Sequence, residues 1–401
     1  MLPDGFARED APLVAVVRRR RKRLYCPHCG FTTNAQYDTR TTDSKWRHLD
    51  FCGRRLYLSM QRRRLRCPDH GVITEAVPFA RPDSQFTRDY EDLTAWLTIR
   101  ADKSTVSKFL RIAWRTVGTI CERVCDEHLD DTRFEGLVKM GVDEISWRKH
   151  HNYVTLATNS DTGKVIWGEA GKNAATLDKF FETIGPENTA KISTVSMDMG
   201  LAFQKSVREK APNALICFDP FHVVKLATDA LDEVRRRVWR EQANQPDKTF
   251  TKSLKGSRWA LLKNPENLTD TQAATLQAFK DQDTALWKAY TLKEALRYLF
   301  TSDLDLSDIT RMVDLWCERA IESGEAAFIK AGSTIRTHAA GIEAALTSGV
   351  SNGQQEGLNN KIRTISRRAY GFHSAKALLA LVMLACGPID LRLPYARHAR
   401  A

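Results

Sequence analysis

No run of the roughly 20 apolar residues needed to cross a bilayer occurs anywhere in the sequence. The stretch from Met1 to Val17 is mixed, not an apolar signal core, and a basic run follows it. A membrane-spanning or exported protein is therefore not expected, and a cytoplasmic location is. Internal repeats and low-complexity segments are also missing, which argues against a solenoid or a tail-dominated chain. No Ser-His-Asp arrangement offers a covalent nucleophile. What remains is 401 residues, 42% of them hydrophobic and 27% charged. That is enough for two or three domains with real cores.

The net charge of +12 is unevenly placed. Residues 1–82 hold 17 Lys/Arg against 8 Asp/Glu, and so supply +9 of the total. Arg18 to Arg23 form one basic block; Arg62, Arg63, Arg64 and Arg66 form another. Such density repels itself unless an anion neutralises it, and nucleic acid, which releases counterions on binding, is the partner expected. A solvated tail is the alternative for the first block. A membrane surface is disfavoured, because no amphipathic apolar face accompanies the arginines.

Nine cysteines in a cytosolic chain point to thiols and metal, not disulfides. Cys121, Cys125, Cys217, Cys317 and Cys386 sit in apolar contexts and read as core residues. Cys26-Pro27-His28-Cys29-Gly30 and Cys67-Pro68-Asp69-His70-Gly71 instead form two knuckles, each closed by glycine. Cys26, Cys29, Cys67 and His70 are the expected ligands of one structural Zn²⁺, with Cys52 and His48 as rivals.

Residues 86–128 carry helical periodicity. Asp83 or Ser84 is expected to cap a first helix, and a second begins near Ser104 or Thr105 with Val106, Phe109 and Leu110 inward. A third runs from about Ala113. Short helices across a brief turn suggest a helix-turn-helix, with Trp114, Arg115 and Thr116 near the start of the reading helix. Generic helical packing is the competing interpretation.

Beyond residue 137 the period changes to that of strands. Leu137–Ile145, Asn152–Ala157 and Lys164–Glu169 read as strands, with Asp161-Thr162-Gly163 as a hairpin turn. Helix Thr176–Ile184, strand Ile192–Met197, helix Leu201–Lys210 and strand Ala214–Phe218 follow. This β-β-β-α-β-α-β order is that of an α/β, RNase H-like sheet. Residues 222–346 then read as almost continuous helix, an all-helical insertion before a closing helix from about Asn352 to Arg368. The expected division is a basic zinc-binding module at 1–82 and a helix-turn-helix at 83–133. The catalytic sheet follows at 134–224, the insertion at 225–347, and the closing and C-terminal helices at 348–401.

Asp143 lies in an otherwise apolar strand and Asp198 ends another. In an RNase H-like order these strands are neighbours, and two carboxylates so close call for a cation between them. Glu356 on the closing helix can complete an Asp–Asp–Glu site. Two Mg²⁺ (or Mn²⁺) ions about 3.5–4 Å apart would clamp the attacking and leaving oxygens of a phosphodiester. Asp219 competes for the second position, because it too ends an apolar strand, whereas Glu144 is expected on the opposite face from Asp143. Glu356, Asn360, Arg363 and Arg367 recur at +4, +3 and +4 and share a helix face suited to tracking a DNA backbone.

These motifs in this order resemble the ISL-three family of bacterial insertion-sequence transposases along nearly the whole chain. The resemblance rests on the two knuckles, on Gly141-Val142-Asp143-Glu144, and on Ser196-Met197-Asp198-Met199. It continues in Phe218-Asp219-Pro220-Phe221-His222-Val223-Val224-Lys225 and in Lys255-Gly256-Ser257-Arg258-Trp259 through Asn264. Most specific is Ser351 to Arg363, continuing to Arg368-Ala369-Tyr370-Gly371-Phe372. It implies a zinc-binding N-terminus, a helix-turn-helix that reads terminal inverted repeats, and a catalytic domain interrupted by helices. It further implies that Asp143, Asp198 and Glu356 are catalytic, and that Asp219 and His222 form an Asp-x-x-His element near the scissile phosphate. A purely structural hydrogen bond at the helix start is the other reading of His222. Trp259 reads either as a face for an unpaired base or as a core tryptophan. One departure is Cys67-Pro68-Asp69-His70, where the family usually carries a second Cys-x-x-Cys.

The expected activity is metal-dependent cleavage and joining of double-stranded DNA at element ends and target, by a dimer in the synaptic complex associated with the bacterial nucleoid. A silent DNA-binding repressor derived from a transposase is the alternative. A ribonuclease of the same fold is disfavoured by the basic zinc module and the large insertion.

Overall fold

The computed structural model describes residues 11–148, 152–243, 254, 256–281, 284–302, 305–348, 353–391 and 393, with backbone only at 306 and 353–356. Its contacts divide it in two. One unit joins the described residues up to Asp130 with those from Thr364 onward; the other is Asp131–Arg363.

The first unit begins with short strands: β1 (Leu13–Val16), β2 (Leu24–Tyr25), β3 (Thr32–Thr33), β4 (Asp38–Thr39), β5 (Ser44–Phe51), β6 (Arg54–Met60), β7 (Arg63–Cys67) and β8 (Gly71–Thr74). They form sheets β1-β6-β5, β2-β3 and β4-β7-β8. Leu56–Met60 lie in β6, and β7 leads into the second knuckle. Between β5 and β6 the chain reverses through Cys52 and Gly53, at φ 50° and 74°. Positive φ at both central residues is what a two-residue hairpin of this twist requires.

Three helices follow: α1 (Arg88–Thr98), α2 (Lys103–Leu110) and α3 (Trp114–His128). Thr87, not Asp83 or Ser84, caps α1. Asp83 has φ 56° in the preceding turn, and Ser84 donates to Glu91 at 2.7 Å. Asp102 caps α2 by accepting from the amides of Ser104 and Thr105 at 3.0 and 2.9 Å. Val106 and Leu110, one turn apart, face inward as expected; Phe109 does not and is 69% exposed. So short a helix buries a single narrow stripe, and Phe109 falls outside it.

The buried face of α1 includes Glu91, Asp92, Thr94 and Thr98. Arg81, itself buried, pairs with Glu91 at 3.0 Å, Asp92 at 2.6 Å and Glu127 of α3 at 2.6 Å. Arg123 also pairs with Glu91. This charge network fastens α1 to α3. The C-terminal helix α14 (Ala375–Cys386) packs on α3 through a nearly continuous apolar surface. The scattered cysteines at 121, 125, 217, 317 and 386 are all buried, as expected.

In the second unit β9 (Lys139–Arg148), β10 (Asn152–Asn159) and β11 (Lys164–Ala170) are followed by α4 (Ala174–Lys191), β12 (Thr194–Met197), α5 (Leu201–Lys210) and β13 (Leu215–Phe218). Sheet order is β11-β10-β9-β12-β13. The first three strands are antiparallel; β12 is parallel to both β9 and β13. Helix α4 is broken at Gly185, whose φ of 74° turns the chain before Pro186 restarts the helix. The molecule is thus mixed α/β.

Helices α6 (Pro220–Ala243), α7 (Arg258–Leu262), α8 (Asp270–Asp281), α9 (Ala285–Leu299), α10 (Leu306–Glu322), α11 (Ala326–Thr337) and α12 (Ala339–Ser348) come next, then α13 (Gly353–Arg368). One apolar core joins sheet and helices, running from Phe180, Val195 and Phe218 to Leu231, Leu286, Trp316 and Phe328. Helix α12 lies on β13 so closely that a Cβ at Gly341 would stand 2.5 Å from the Phe218 ring. Among the described residues no helix is long and apolar enough to cross a membrane.

Removing one partner of a buried ion network strands its counterions. Arg81→Ala should therefore cost about 3–5 kcal/mol, read as a lowered midpoint in denaturant unfolding of the first unit.

Candidate functional site

The two knuckles meet. Cys26 leaves β2 and Cys67 ends β7, and both lie in a small core with Leu24 and Leu65. Donor atoms of Cys26, Cys29, Cys67 and His70 all lie within 4.8 Å of one another. The Cys29 and Cys67 sulfurs are 3.6 Å apart, and His70 Nδ1 is 3.7 Å from Cys26 and 3.5 Å from Cys67. Zinc–sulfur bonds of about 2.3 Å imply tetrahedral edges of roughly 3.8 Å, so the four residues fit a closed zinc site. Burial opposes ionisation at Cys26 and Cys67; amide donors with the neighbouring sulfurs hold Cys26 below its ordinary value, and the His70 ring with amide donors does so at Cys67. Cys29 accepts from the Phe31 amide, yet burial and the two neighbouring sulfurs push it up to about 11. Ionising all three sulfurs together would call for a cation between them. The rivals are occupied elsewhere: Cys52 is an exposed hairpin residue, and His48 shares a 2.8 Å hydrogen bond with Thr87.

The second basic block is engaged within its own module. Arg62 stacks on Trp46 and donates to the Glu75 carbonyl, and Arg63 pairs with Glu75 at 3.1 Å. Arg64 pairs with Asp38 beside the Tyr37 ring. In the first block Arg19 reaches Glu75 at 2.8 Å, while Arg18, Arg20, Arg21, Lys22 and Arg23 are exposed. At the start of α3, Trp114 and Arg115 are exposed and Thr116 is half-buried.

In the second unit the parallel register gathers carboxylates at one edge of the sheet. Ser196 pairs with Gly141; two residues further along their strands stand Asp198 and Asp143. Met197 pairs with Phe218, and the next residue, Asp219, donates its amide to Met197 at 2.9 Å. Asp143 accepts from its neighbour's amide at 2.7 Å and from the Asn359 side chain of α13 at 2.6 Å. Burial raises the Asp143 pKa, with Asp219 adding to the shift and Asn359, the Glu144 amide and His222 opposing it. Asp198 accepts from the Gly200 amide at 2.9 Å, and a Cβ at Gly200 would lie 2.8 Å from that oxygen. Asp219 accepts from Phe221 at 2.8 Å and so caps α6. His222 Nε2 is 3.9 Å from Asp219, too far for a hydrogen bond. Glu144 is pushed up by burial and next by Asp198, so it belongs electrostatically to the same edge.

Glu356 is on α13, but its side chain lies outside the described residues. Among the described residues the aspartates alone do not converge as tightly as the zinc-type ligands do. Asn360, Arg363 and Arg367 are exposed on α13, opposite buried Leu358, Ile362 and Ile365. Asn359 was not foreseen from the sequence. Its signal was the polar run after Glu356, in which position +3 reaches the sheet as readily as +4. Trp259 is 55% exposed on α7, beside Arg258. The buried ammonium of Lys293 fixes that helix by donating to the carbonyls of Leu261 and Lys263 at 3.1 and 3.2 Å.

A zinc cluster, a helix-turn-helix and a carboxylate-edged α/β sheet define a modular DNA-binding protein, and comparisons with known proteins name the same parts. Residues 22–70 match the zinc finger of the transposases of IS204, IS1001, IS1096 and IS1165. Residues 75–125 match the helix-turn-helix domain of transposase family ISL3, and residues 140–382 match the ISL3 model described as a transposase. The transposase for insertion sequence element IS1557 of Mycobacterium tuberculosis is 38% identical over 94% of this chain and 89% of its own length. That for IS1001 of Bordetella parapertussis is 28% identical over 88% of this chain and 86% of its own. The chain belongs to the ISL3 family of transposases.

Replacing Cys26 with Ser should remove the bound zinc, seen as loss of one equivalent of metal by mass spectrometry, and should loosen the β2–β3 and β7–β8 turns. Full retention of metal would take Cys26 out of the ligand set.

Proposed function

We propose that this protein is an active DNA transposase that binds the terminal inverted repeats of its element and cleaves and joins DNA strands with Asp143, Asp198 and Glu356. The observation that carries the reading is the pairing of Asp143 with Asn359 across 216 residues of sequence. That contact sets the helix bearing Glu356 against the sheet edge where Asp143 and Asp198 stand in register. The sheet order and mixed strand directions support an RNase H-like catalytic domain, with α6 to α12 as its helical insertion. In this reading the modules are 1–82, 83–133, 134–224, 225–347 and 348–401, although residues from Thr364 onward make their contacts with the first unit.

The donor set fits a hard divalent cation: carboxylates stand on neighbouring strands, and burial raises the Asp143 pKa, an effect that a nearby positive charge would oppose. Bound Mg²⁺ or Mn²⁺ would supply Lewis acidity to the attacking and leaving oxygens of the phosphodiester. Asn359 orients the Asp143 carboxylate; the Gly200 amide orients that of Asp198. Asp219 fixes the start of α6 and thereby the position of His222, half-exposed beside the edge. Water attacks the phosphorus and the bond to the 3′ oxygen breaks, leaving a 5′-phosphate and a free 3′-hydroxyl. That hydroxyl then loses its proton and attacks a target phosphodiester, forming a new P–O bond as the target's 3′ oxygen leaves and takes up a proton.

Arg62, Arg63, Arg64, Trp114 and Arg115 serve DNA binding in the first unit. The internal contacts of the three arginines favour a role in shaping the surface as well as touching phosphate. Asn360, Arg363 and Arg367 follow the strand along α13. Trp259, presented outward by α7, stacks on an unpaired base. Cleaving two element ends together calls for a dimer, acting at the bacterial nucleoid.

The test is cleavage of DNA carrying the element's own ends, with Mg²⁺ or EDTA. Metal-dependent cuts at the element boundary should vanish in Glu356→Gln. Specific binding without cleavage by folded wild type would favour a silent repressor; persistent cleavage in the variant would move the active site elsewhere. Asn359→Ala should slow cleavage on the order of 10²-fold by loosening Asp143, with end binding unchanged by fluorescence anisotropy.

A further inference from the structure

The segment Ala369-Tyr370-Gly371-Phe372 is unexplained by either site, and its conformation is unusual. Tyr370 is 93% exposed and has φ 53°, a left-handed backbone that a bulky residue adopts only under strain. Gly371 follows at φ 103°. The loop is nonetheless held firmly within the first unit. Before it, Arg368 donates to the carbonyls of Ile99 and Arg100, where α1 ends, at 2.6 and 3.0 Å. After it, the His373 ring lies edge-on to Trp114 at the first position of α3, with centroids 6.4 Å apart.

The other face of Trp114 is taken by the Lys103 ammonium, 3.4 Å from the ring centroid. Gly118 makes room for it, since a Cβ there would stand 2.5 Å from Lys103 Nζ. Gly371, Phe372 and His373 line one small cavity together with Lys103, Trp114 and Gly118. The loop is therefore part of the wall from which α3 starts. Arg115, next to Trp114, and Arg367, three residues before Tyr370, are exposed, so cations flank the loop.

We propose that this loop extends the DNA-contacting surface of the helix-turn-helix, with the Tyr370 ring stacked on the duplex beside the start of α3. A strained aromatic held in water serves no packing purpose in the chain. Against the sugars of a duplex in a cationic setting, the ring gains the apolar contact it lacks. The inference rests on the reading of α3 as the DNA-reading helix, so the test separates the two.

Zinc-loaded full-length protein would be titrated by fluorescence anisotropy against duplexes carrying the element's end or a random sequence. The variants are Tyr370→Gly, Tyr370→Phe and Arg115→Ala, each with a thermal midpoint. Glycine removes the backbone strain, so Tyr370→Gly should melt no lower than wild type while binding ends about tenfold more weakly. Tyr370→Phe should keep the affinity, because stacking uses the ring. Binding by Tyr370→Gly within about twofold of wild type, with Arg115→Ala clearly weakened, would overturn the loop's role and leave that of α3 standing. Unchanged binding by both variants would overturn both. A lower melting temperature together with weaker binding in Tyr370→Gly would make the residue structural and also overturn the proposal.

Discussion

Carboxylates carried on neighbouring parallel strands are the constraint around which the second unit is arranged. The pairing of β9, β12 and β13 brings Asp143, Asp198 and Asp219 to one edge, where their mutual repulsion must be absorbed. Backbone and side-chain donors do part of this. Asp198 and Asp219 precede the N-termini of α5 and α6, whose free amides and dipoles favour negative charge. Asp143 lacks a helix of its own and takes the Asn359 amide instead. The tight turn at Gly200, the cap on α6 and the docking of α13 each place a hydrogen-bond donor on one of these carboxylates. In the proposed chemistry, divalent cations would balance the charge that these donors leave.

The first unit solves a different charge problem. Its arginines outnumber its acids, yet many are consumed internally. Arg62 covers Trp46, Arg63 and Arg19 share Glu75, and Arg81 lies at the centre of a buried acidic cluster. Buried ion networks of this kind add specificity of orientation more than net stability. Arg111 ties the turn after α2 to Asp50 and the Gly53 carbonyl, so that zinc module and helix-turn-helix present one surface. Exposed cations remain in the block around Arg20, at Arg40, Lys45, Arg55 and Arg66, and beside α2, α3 and the loop at Tyr370.

The long helical region is not an appendage with its own small core. Its apolar residues continue the core of the sheet, from Phe218 through Val223 and Leu231 to Trp316 and Ile335. A buried lysine within it, Lys293, spends its donors on the carbonyls that end α7. Burying an ammonium is unfavourable unless its hydrogen bonds are filled, and here they hold one exposed tryptophan in place.

Much was legible from residues alone. The glycine-closed knuckles pointed to Cys26, Cys29, Cys67 and His70, because thiol and imidazole chemistry at that spacing has few other uses, and the fold brings these four together. The alternation within Lys139–Phe218 pointed to the strand order. Helix α5 and the turn at Gly163 followed from local periodicity and turn chemistry. Other features required the fold. The inward face of α1 is acidic, and no hydrophobic pattern could mark it, since its partner Arg81 lies before the helix and Glu127 two helices later. Phe109 looked inward by spacing but faces solvent, because a two-turn helix buries only one stripe. Asn359 meets Asp143 only when residues 216 apart in sequence are packed together. Sequence by itself determined which residues can ligate, cap or pair, since those capacities are properties of single side chains and near neighbours. Tertiary structure alone decided which of them meet, because burial and long-range contact belong to the folded chain as a whole.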